Sequence, residues 1–129
     1  MKGRIKVKIK CGTDIIEISR IKKSIDDLGE TFKNKVFTKN EIEYCESKGK
    51  QKYQHYAARF AAKEAAFKAV SEMLDDKYEL CWKDYEVIND KNGRPRININ
   101  STKLDIENID LSISHCEEYA TANVIVIYK

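Results

Sequence analysis

The sequence predicts a single α+β domain in which a largely antiparallel sheet packs on one long helix. Alternating apolar residues indicate a strand at the start of the chain, the centre has helical spacing, and period-two patterns return after residue 84. Strands that follow one another after a run of helices are typical of an α+β fold. The 129 residues are enough for one domain, which we expect to span 1–129.

Composition excludes several classes of protein. The chain is 42% hydrophobic and 35% charged, with one Pro and five Gly, so it is neither collagenous nor a Pro/Gly-rich disordered chain. No apolar stretch has the length of a membrane helix, and the first ten residues lack the apolar block of a signal peptide. We therefore expect a cytoplasmic protein that makes no membrane contact. The widely separated cysteines contain no C-x-x-C pair, which favours reduced thiols.

The first strand and the first helix are predicted to meet at Gly12. Basic and apolar residues alternate over 1–9, which is the period of a half-buried strand with a basic face. Beyond Thr13 the apolar residues take on helical spacing up to Leu28, and Gly29 indicates the end of the helix. Asp14 is the lone acid at this apolar junction.

Two further helices are predicted in the centre of the chain. Thr38 and Glu41 have the spacing of a capping box, so a short helix should run over 39–48. The longest helix should span about 53–74, with an apolar stripe and seven alanines spread around it. Glu64 lies beside that stripe, where a carboxylate needs a partner because an unpaired buried charge is costly.

Four strands should follow, over 85–88, 96–99, 109–114 and 119–128. Asn92-Gly93 predicts a type I′ hairpin turn between the first two of them. Pro95 cannot donate to a strand ladder, so its nitrogen should face an edge or the loop.

Asp14 and Glu64 are the candidate metal ligands. Two carboxylates in dry surroundings repel unless a cation lies between them, and Mg²⁺ prefers oxygen ligands while keeping positions for water and phosphate. The alternative is that each acid caps a helix or pairs with a nearby lysine. Lys68, four residues after Glu64, either forms a surface salt bridge or supplies positive charge to a phosphoryl group. Arg59 offers a bidentate fork for phosphate, or simply covers apolar neighbours.

His115 ends a predicted strand, where side chains reach into a cleft, although a lone histidine is more often structural. Ser112 and Ser114 precede it without the G-x-S-x-G elbow of a hydrolase, which argues against nucleophilic catalysis. The sequence also contains neither a G-x-x-x-x-G-K-[ST] nor a G-x-G-x-x-G loop, so conventional nucleotide-binding folds are unsupported.

Five motifs occur in a distinctive order: Gly12-Thr13-Asp14-Ile15, Phe37-Thr38 with Glu41, Arg59-Phe60-Ala61-Ala62-Lys63-Glu64-Ala65 with Lys68-Ala69, Asn92-Gly93-Arg94-Pro95, and Ser112-Ile113-Ser114-His115. Together they resemble the holo-acyl-carrier-protein synthase family, the small bacterial-type phosphopantetheinyl transferases. The resemblance covers about residues 12–127 and implies a phosphopantetheinyl-transferase-like fold.

The resemblance implies a reaction and its metal site. Members of the family move the phosphopantetheine arm of coenzyme A onto a serine of apo acyl carrier protein and release adenosine 3′,5′-bisphosphate, a step of fatty acid biosynthesis. Asp14 and Glu64 would bind Mg²⁺ against the pyrophosphate of coenzyme A. Either Glu64 or a metal-polarised water would take the serine proton, and Lys68 would stabilise the transferring phosphate.

The resemblance also implies contacts with coenzyme A and with protein partners. Arg59, Lys63 and His115 would bind the cofactor, with Lys52 as a weaker candidate for its ribose 3′-phosphate. A basic set on the first helix would meet the acidic carrier protein, and its members are Arg20, Lys22 and Lys23. The family is usually a homotrimer whose active sites lie between subunits.

One departure from the family and two alternative functions remain. The family commonly has a Gly-Thr-Gly type loop after the long helix, close to the cofactor, whereas residues 70–76 of this chain contain no glycine. One alternative is a small basic nucleic-acid-binding module, although acids interrupt every basic track and no recognition motif is present, so we expect no nucleic-acid partner. The other alternative is an inactive carrier-protein-binding relic of the same fold.

Overall fold

The computed structural model describes residues 6–129 and confirms the α+β class. The helices and strands over these residues, in chain order, are β1 (Lys8–Glu17), α1 (Ile18–Leu28), α2 (Glu30–Val36), α3 (Lys39–Glu46), α4 (Lys52–Val70), β2 (Tyr85–Asn89), β3 (Pro95–Ile99), β4 (Ile106–His115) and β5 (Tyr119–Tyr128). Short 3-10 turns lie at Gly49–Gln51, Ser71–Met73 and Trp82–Asp84. Among the helices described, none combines the length and apolar character needed to cross a membrane.

A three-stranded antiparallel sheet in the order β1-β5-β4 packs on α4, and β2 and β3 form a separate hairpin. The alanines of α4 allow the sheet to approach closely, and they are buried against Leu111, Val124 and Val126. A second apolar cluster joins α1, α2 and α3 to the first turns of α4 around Phe37 and Tyr56. The long helix is therefore the central element of the domain.

The first strand and the first helix are displaced from their predicted positions. β1 begins at Lys8 and continues through Gly12 and Asp14 to Glu17, and α1 starts only at Ile18. Residues 1–5 of the predicted strand lie outside the described residues. The prediction of a break at Gly12 is wrong, because the continuous ladder with β5 determines the backbone here rather than local isoleucine spacing.

Gly12 has a packing role instead of a bending role. A Cβ atom at this position would lie 1.9 Å from the carbonyl oxygen of Ala65 and 2.9 Å from the backbone nitrogen of Ala69. Only glycine therefore lets β1 cross α4 at this distance. This close crossing brings the following residues of β1 against the same helix.

The central helices agree with their predicted signals. Thr38 Oγ1 accepts from the Glu41 backbone N–H (3.2 Å), and the Glu41 carboxylate accepts from the Thr38 backbone N–H (2.8 Å), so the capping box is confirmed. Gly29 ends α1 with a φ of 57°. α4 stops at Val70, earlier than predicted, because residues 71–73 tighten into a 3-10 turn. α2 was not predicted.

The hairpin turn differs from the predicted type I′ turn. β2 and β3 flank a loop over 90–94 in which Gly93 has a φ of 81° while Asn92 does not reach positive φ. A type I′ turn needs positive φ at both central residues. The Asp90 carboxylate accepts from the backbone N–H groups of Asn92 and Arg94, both at 2.9 Å, and so stabilises the longer loop. Pro95 begins β3 at an edge, as predicted.

Candidate active site

β1 and α4 bring Asp14, Glu64 and Lys68 together. Asp14 lies two residues after Gly12 and on the same face of β1, so its side chain is directed to α4. The Lys68 ammonium donates to Asp14 Oδ1 (3.2 Å) and to the carbonyl oxygen of Thr13 (3.0 Å). Glu64 lies one turn earlier on the same side of the helix. The structure therefore brings together three residues that the sequence indicated, although Asp14 lies within a strand and not at its end.

Two carboxylates face one ammonium in this cluster. Partial burial raises the pKa of Glu64 above its ordinary value, the Asp14 carboxylate raises it further, and the Lys68 ammonium opposes both effects. Lys68 bonds to Asp14, whereas the alternative of a simple Glu64–Lys68 surface bridge is not found within the described chain. The cluster keeps an excess of negative charge that a cation would neutralise.

The donor set of this cluster fits a hard divalent ion. Across residues 6–129 there is no group of three or more His, Cys, Asp or Glu side chains that could hold a metal ion. The protein therefore supplies two carboxylate ligands at this cluster and not a complete set of ligands. Mg²⁺ is usually held by one or two carboxylates, with water and substrate phosphate in its other positions. Structural zinc needs four protein ligands and does not fit.

A second cluster contains Arg59 and His115. Arg59 is buried, its guanidinium lies 3.9 Å from the centre of the Tyr44 ring, and it donates to the Asn89 side-chain oxygen (2.6 Å). Within the described residues its Nε has no hydrogen-bond partner. The His55 ring packs edge-on against Tyr44 and His115, with centroids 5.5 and 6.0 Å apart. Burial, and then the charge of Arg59, lower the pKa of His55.

This second cluster combines a desolvated cation with aromatic rings, which suits a phosphate or an aromatic base. The sequence indicated Arg59 and His115 but missed Tyr44, His55 and Asn89. These three lie on α3, α4 and β2 and outside the quoted motifs, so no local pattern signals that they meet.

Lys63 does not reach the surface, and the expectation that it binds the cofactor is corrected. It is 0% exposed, with its ammonium 2.6 Å from the Glu41 carboxylate. It also donates to the carbonyl oxygens of Trp82 and Tyr85. The second Glu41 oxygen accepts from the Val87 backbone N–H (2.8 Å). Lys63 therefore ties α4 to α3 and β2, because every donor and acceptor of a buried ion pair must be satisfied.

Lys52 and the basic residues of α1 are the other positively charged residues that the sequence indicated, and Lys22 and Lys52 both lie over the Tyr53 ring. Lys52, in the first turn of α4, lies 3.4 Å from the Glu46 carboxylate and over the Tyr53 ring. The exposed basic residues of α1 each pair with an acid of the same segment, and these pairs are Arg20–Glu17, Lys22–Asp26 and Lys23–Asp27. Such surface pairs are weak and leave the side chains available to a partner. A shallow groove beside them includes the exposed side chain of Leu28.

The glycine-free segment after α4 keeps its acids away from the Asp14 cluster. The Glu72 carboxylate forms an ion pair with the Lys10 ammonium (2.6 Å), and this pair connects the segment to β1. Asp75 and Asp76 are exposed, and Asp76 accepts from the Tyr78 backbone N–H (2.9 Å). The acids in the loop therefore face solvent.

A cavity of about 320 Å³ opens directly beside Glu64. Its other lining residues come from α4 and the segment before β2, and they are Phe67, Tyr78, Leu80, Cys81, Trp82 and Tyr85. All four cysteines of the chain are free, and Cys81 is exposed. No pattern in the sequence indicated this cavity.

Comparison with known proteins shows which family the chain is similar to. The family model of the 4′-phosphopantetheinyl transferase superfamily matches residues 10–124. The holo-[acyl-carrier-protein] synthase of Ruminiclostridium cellulolyticum is 43% identical over 121 residues, which cover 89% of each chain. That of Protochlamydia amoebophila is 44% identical over 114 residues, covering 86% of this chain and 91% of the relative.

Solved structures give the same relationship. The holo-(acyl-carrier-protein) synthase of Bacillus anthracis in complex with CoA (3′,5′-ADP) superposes with a TM-score of 0.79 at 34% identity, covering 96% of this chain and 100% of that one. The Helicobacter pylori enzyme in complex with coenzyme A gives a TM-score of 0.77 at 31% identity, covering 90% and 98% of the two chains.

Proposed function

The chain belongs to the 4′-phosphopantetheinyl transferase superfamily, and we propose that it is a Mg²⁺-dependent holo-acyl-carrier-protein synthase. It transfers the phosphopantetheine arm of coenzyme A to a serine of apo acyl carrier protein, giving holo acyl carrier protein and adenosine 3′,5′-bisphosphate. The observation that carries the proposal is the Asp14–Glu64–Lys68 cluster, in which two carboxylates and one ammonium meet between β1 and α4. Positioning and charge neutralisation supply most of the catalysis in phosphoryl transfer.

Each residue of the cluster has a separate role in the proposed reaction. Asp14 and Glu64 would hold Mg²⁺, which when bound offsets charge on the coenzyme A pyrophosphate. Lys68 is held by Asp14 and the Thr13 carbonyl, so its ammonium is positioned to stabilise the transferring phosphate. Glu64 combines partial burial with a raised pKa, which suits it to accept the serine proton.

The cluster around Arg59 is proposed to bind the nucleotide end of coenzyme A. The guanidinium is stacked on Tyr44 and lacks a partner for Nε over the described residues, so a phosphate would complete its hydrogen bonds. His115 lies beside it through His55, and Lys52 is the more distant candidate for the ribose 3′-phosphate.

We place the reaction in the cytoplasm as part of fatty acid biosynthesis, with an acyl carrier protein as the partner of α1. The exposed basic residues of α1 would exchange their weak pairs for acidic groups of the carrier, which mainly raises the association rate. A nucleic acid is not a favoured partner. The hairpin arginines Arg94 and Arg96 pair with Asp90 and Asp110, which interrupts the basic track that such a ligand would need.

The outer face of the three-stranded sheet supports the proposal of a homotrimer with active sites between subunits. Ile9, Ile15 and Ile125 are 61%, 63% and 50% exposed, and all three project from the side opposite α4. An exposed apolar face of this kind marks a protein contact. We expect Ile125→Lys to reduce the solution mass to that of one chain in light scattering. Leu28→Lys on α1 is the control, and an unchanged mass for Ile125→Lys would contradict the assignment.

The activity is tested by mass spectrometry of an apo acyl carrier protein incubated with this protein and coenzyme A. We expect a gain of one phosphopantetheine with Mg²⁺, and no gain with EDTA or with Glu64→Gln. A gain that survives EDTA would remove the metal from the proposal. Absence of any gain with several carrier proteins, while the protein stays folded and binds coenzyme A, would leave an inactive carrier-protein-binding relic of the fold.

A further inference from the structure

Lys22 and Lys23 are neighbouring basic residues of α1 with different surroundings. Each forms an ion pair with the acid four residues later, Lys22 with Asp26 at 2.8 Å and Lys23 with Asp27 at 2.7 Å. The Lys22 side chain is 54% exposed, and the Lys23 side chain is 77% exposed. Over residues 6–129, only the first of these pairs has a further side-chain hydrogen bond or ring contact, and both come from Tyr53 in the first turn of α4.

Tyr53 holds both members of the Lys22–Asp26 pair. The Lys22 ammonium lies 5.0 Å from the centre of the Tyr53 ring, where the negative face of the ring attracts a cation. The Tyr53 hydroxyl donates to Asp26 Oδ1 (3.1 Å), while Lys22 donates to the other oxygen, Oδ2. Tyr53 also packs against the apolar cluster that joins α1 to α4. The ring is therefore a fixed support for two charged groups of α1.

A second ammonium lies over the same ring. The Lys52 ammonium is 5.3 Å from the ring centre of Tyr53 and 3.4 Å from the Glu46 carboxylate. The Lys22 ammonium, and then the Tyr53 hydroxyl and Lys52, hold the pKa of Asp26 below its ordinary value. If Lys22 turns to another acid, Asp26 thus keeps a hydrogen-bond donor and a nearby positive charge.

Asp27 has no comparable support. Within the described part of the chain, Lys23 is its one side-chain hydrogen-bond donor. If Lys23 turned to another acid, Asp27 would lose this donor and present its negative charge to the acidic partner, and like charges repel. An exchange of partners is therefore less costly for Lys22 than for Lys23.

We infer that Tyr53 is a positioning residue for docking of the carrier protein. Its ring holds the Lys22 ammonium and its hydroxyl retains Asp26, so Lys22, and not Lys23, is the cation that α1 offers to an acidic group of the carrier. The inference rests on the proposed function, which places an acidic carrier protein on α1. Because Tyr53 belongs to α4, it also fixes this cation relative to the helix that carries the reactive cluster.

The first test measures transfer to an apo acyl carrier protein by Tyr53→Leu, which removes the ring and the hydroxyl but keeps an apolar side chain. We expect the KM for the carrier to rise about three- to fivefold, the loss expected for a cation–π contact at an exposed site. The kcat and the KM for coenzyme A should stay within about twofold of the wild type, because the reactive cluster is untouched and Lys52 keeps its ion pair with Glu46. Tyr53→Phe retains the ring and should raise the KM for the carrier less than Tyr53→Leu does.

The second test is a double-mutant cycle with Lys22→Met and Lys23→Met. Lys22→Met should raise the KM for the carrier more than Lys23→Met, although each removes one positive charge from α1. Adding Tyr53→Leu should have no further effect on Lys22→Met, whereas it should raise the KM of Lys23→Met by the full factor of about three to five. If Tyr53 merely held α1 on α4, its loss would act equally in both backgrounds, and this result would overturn the inference.

The two exposed lysine variants keep the inference testable if Tyr53→Leu does not fold, which its melting temperature would reveal. Both lysines lie on the surface, so neither variant should unfold the protein. Equal rises in the KM for the carrier in Lys22→Met and Lys23→Met would show that Tyr53 does not select between them.

The remaining outcomes separate this inference from the proposed function. If the wild type transfers phosphopantetheine and a folded Tyr53→Leu has an unchanged KM for the carrier, the role of Tyr53 is wrong and the proposed function stands. A rise in the KM for coenzyme A alone would assign the ring to Lys52 and the nucleotide end, which also overturns the inference. A folded wild type that neither binds coenzyme A nor transfers its arm would overturn the proposed function and this inference with it.

Discussion

Lys63 and Glu64 are neighbours on α4, yet they belong to two charge clusters of opposite character. Consecutive residues of a helix point about 100° apart, so the two side chains leave α4 on different sides. Lys63 meets Glu41 at 2.6 Å, and both side chains are fully buried. Glu41 accepts further from the Thr38 and Val87 backbones, and Lys63 donates to two carbonyls. Both charged groups of this cluster therefore have their partners within the protein.

The Asp14–Glu64–Lys68 cluster is incomplete. Lys68 is half exposed, Glu64 has a raised pKa, and two carboxylates face a single ammonium. The difference shows how one helix carries both structural and reactive charges. Charges whose partners come from the chain itself hold the fold, whereas charges left short of partners are available to a metal and a substrate.

The largest expected change in the free energy of unfolding comes from Lys63→Met. Removing the ammonium leaves Glu41 as an unpaired buried carboxylate, so the variant should lose about 3–5 kcal/mol of unfolding free energy. Urea unfolding followed by circular dichroism measures this loss. Lys68→Met is the matched control and should cost less than about 1 kcal/mol while abolishing phosphopantetheine transfer. Equal stability losses for the two variants would mean that the clusters do not differ as described.

A smaller stability effect is expected from Gly12→Ala, which tests how the reactive cluster is assembled. The added methyl would overlap the Ala65 carbonyl oxygen, so β1 must move away from α4 at a cost of about 1–3 kcal/mol. Asp14 moves with the strand, and Mg²⁺ affinity measured by calorimetry should fall with stability. Thr13→Ala, on the outward face of β1, should change stability by less than about 1 kcal/mol. Unchanged Mg²⁺ affinity in Gly12→Ala would show that the close crossing at Gly12 does not position the metal ligands.

The parts of this arrangement that the sequence predicted depend on neighbours in the chain. The capping box of Thr38 and Glu41 needs only three residues of spacing, and the alternation in β4 needs only the strand itself. Asp14, Glu64 and Lys68 were indicated because carboxylates in apolar stretches need a cation and because their motifs resemble a known family. Local spacing alone was sufficient for the capping box and the strand.

The parts that were wrong depend on distant partners. Gly12 was interpreted as a strand end, because its ladder partner Val124 and its helix neighbour Ala65 are far away in the chain. Lys63 was assigned to the cofactor because its motif resembles a known family, although its burial depends on Glu41 and on the segment before β2. The cavity around Tyr85 likewise requires two separate segments to pack. Periodicity within one element contains none of this information.

The smallest expected effect, and the one that separates the two clusters most cleanly, is the pH dependence of stability in Glu64→Gln. The folded pKa of Glu64 lies above its ordinary value of 4.5, so its contribution to stability is full below that pH and is lost as pH rises through the folded pKa. Without metal, Glu64→Gln should therefore be slightly more stable than the wild type at neutral pH, by less than about 1 kcal/mol after solvent screening.

Mg²⁺ binds the ionised form of Glu64, so it should raise the melting temperature of the wild type increasingly as pH rises. It should not raise the melting temperature of Glu64→Gln at any pH. Glu72→Gln is the control of opposite sign, because Lys10 lowers the pKa of Glu72 and its contribution is lost as pH falls. Thermal unfolding with and without Mg²⁺ measures both slopes, and a Glu64→Gln protein that gains as much from Mg²⁺ as the wild type would place the metal elsewhere.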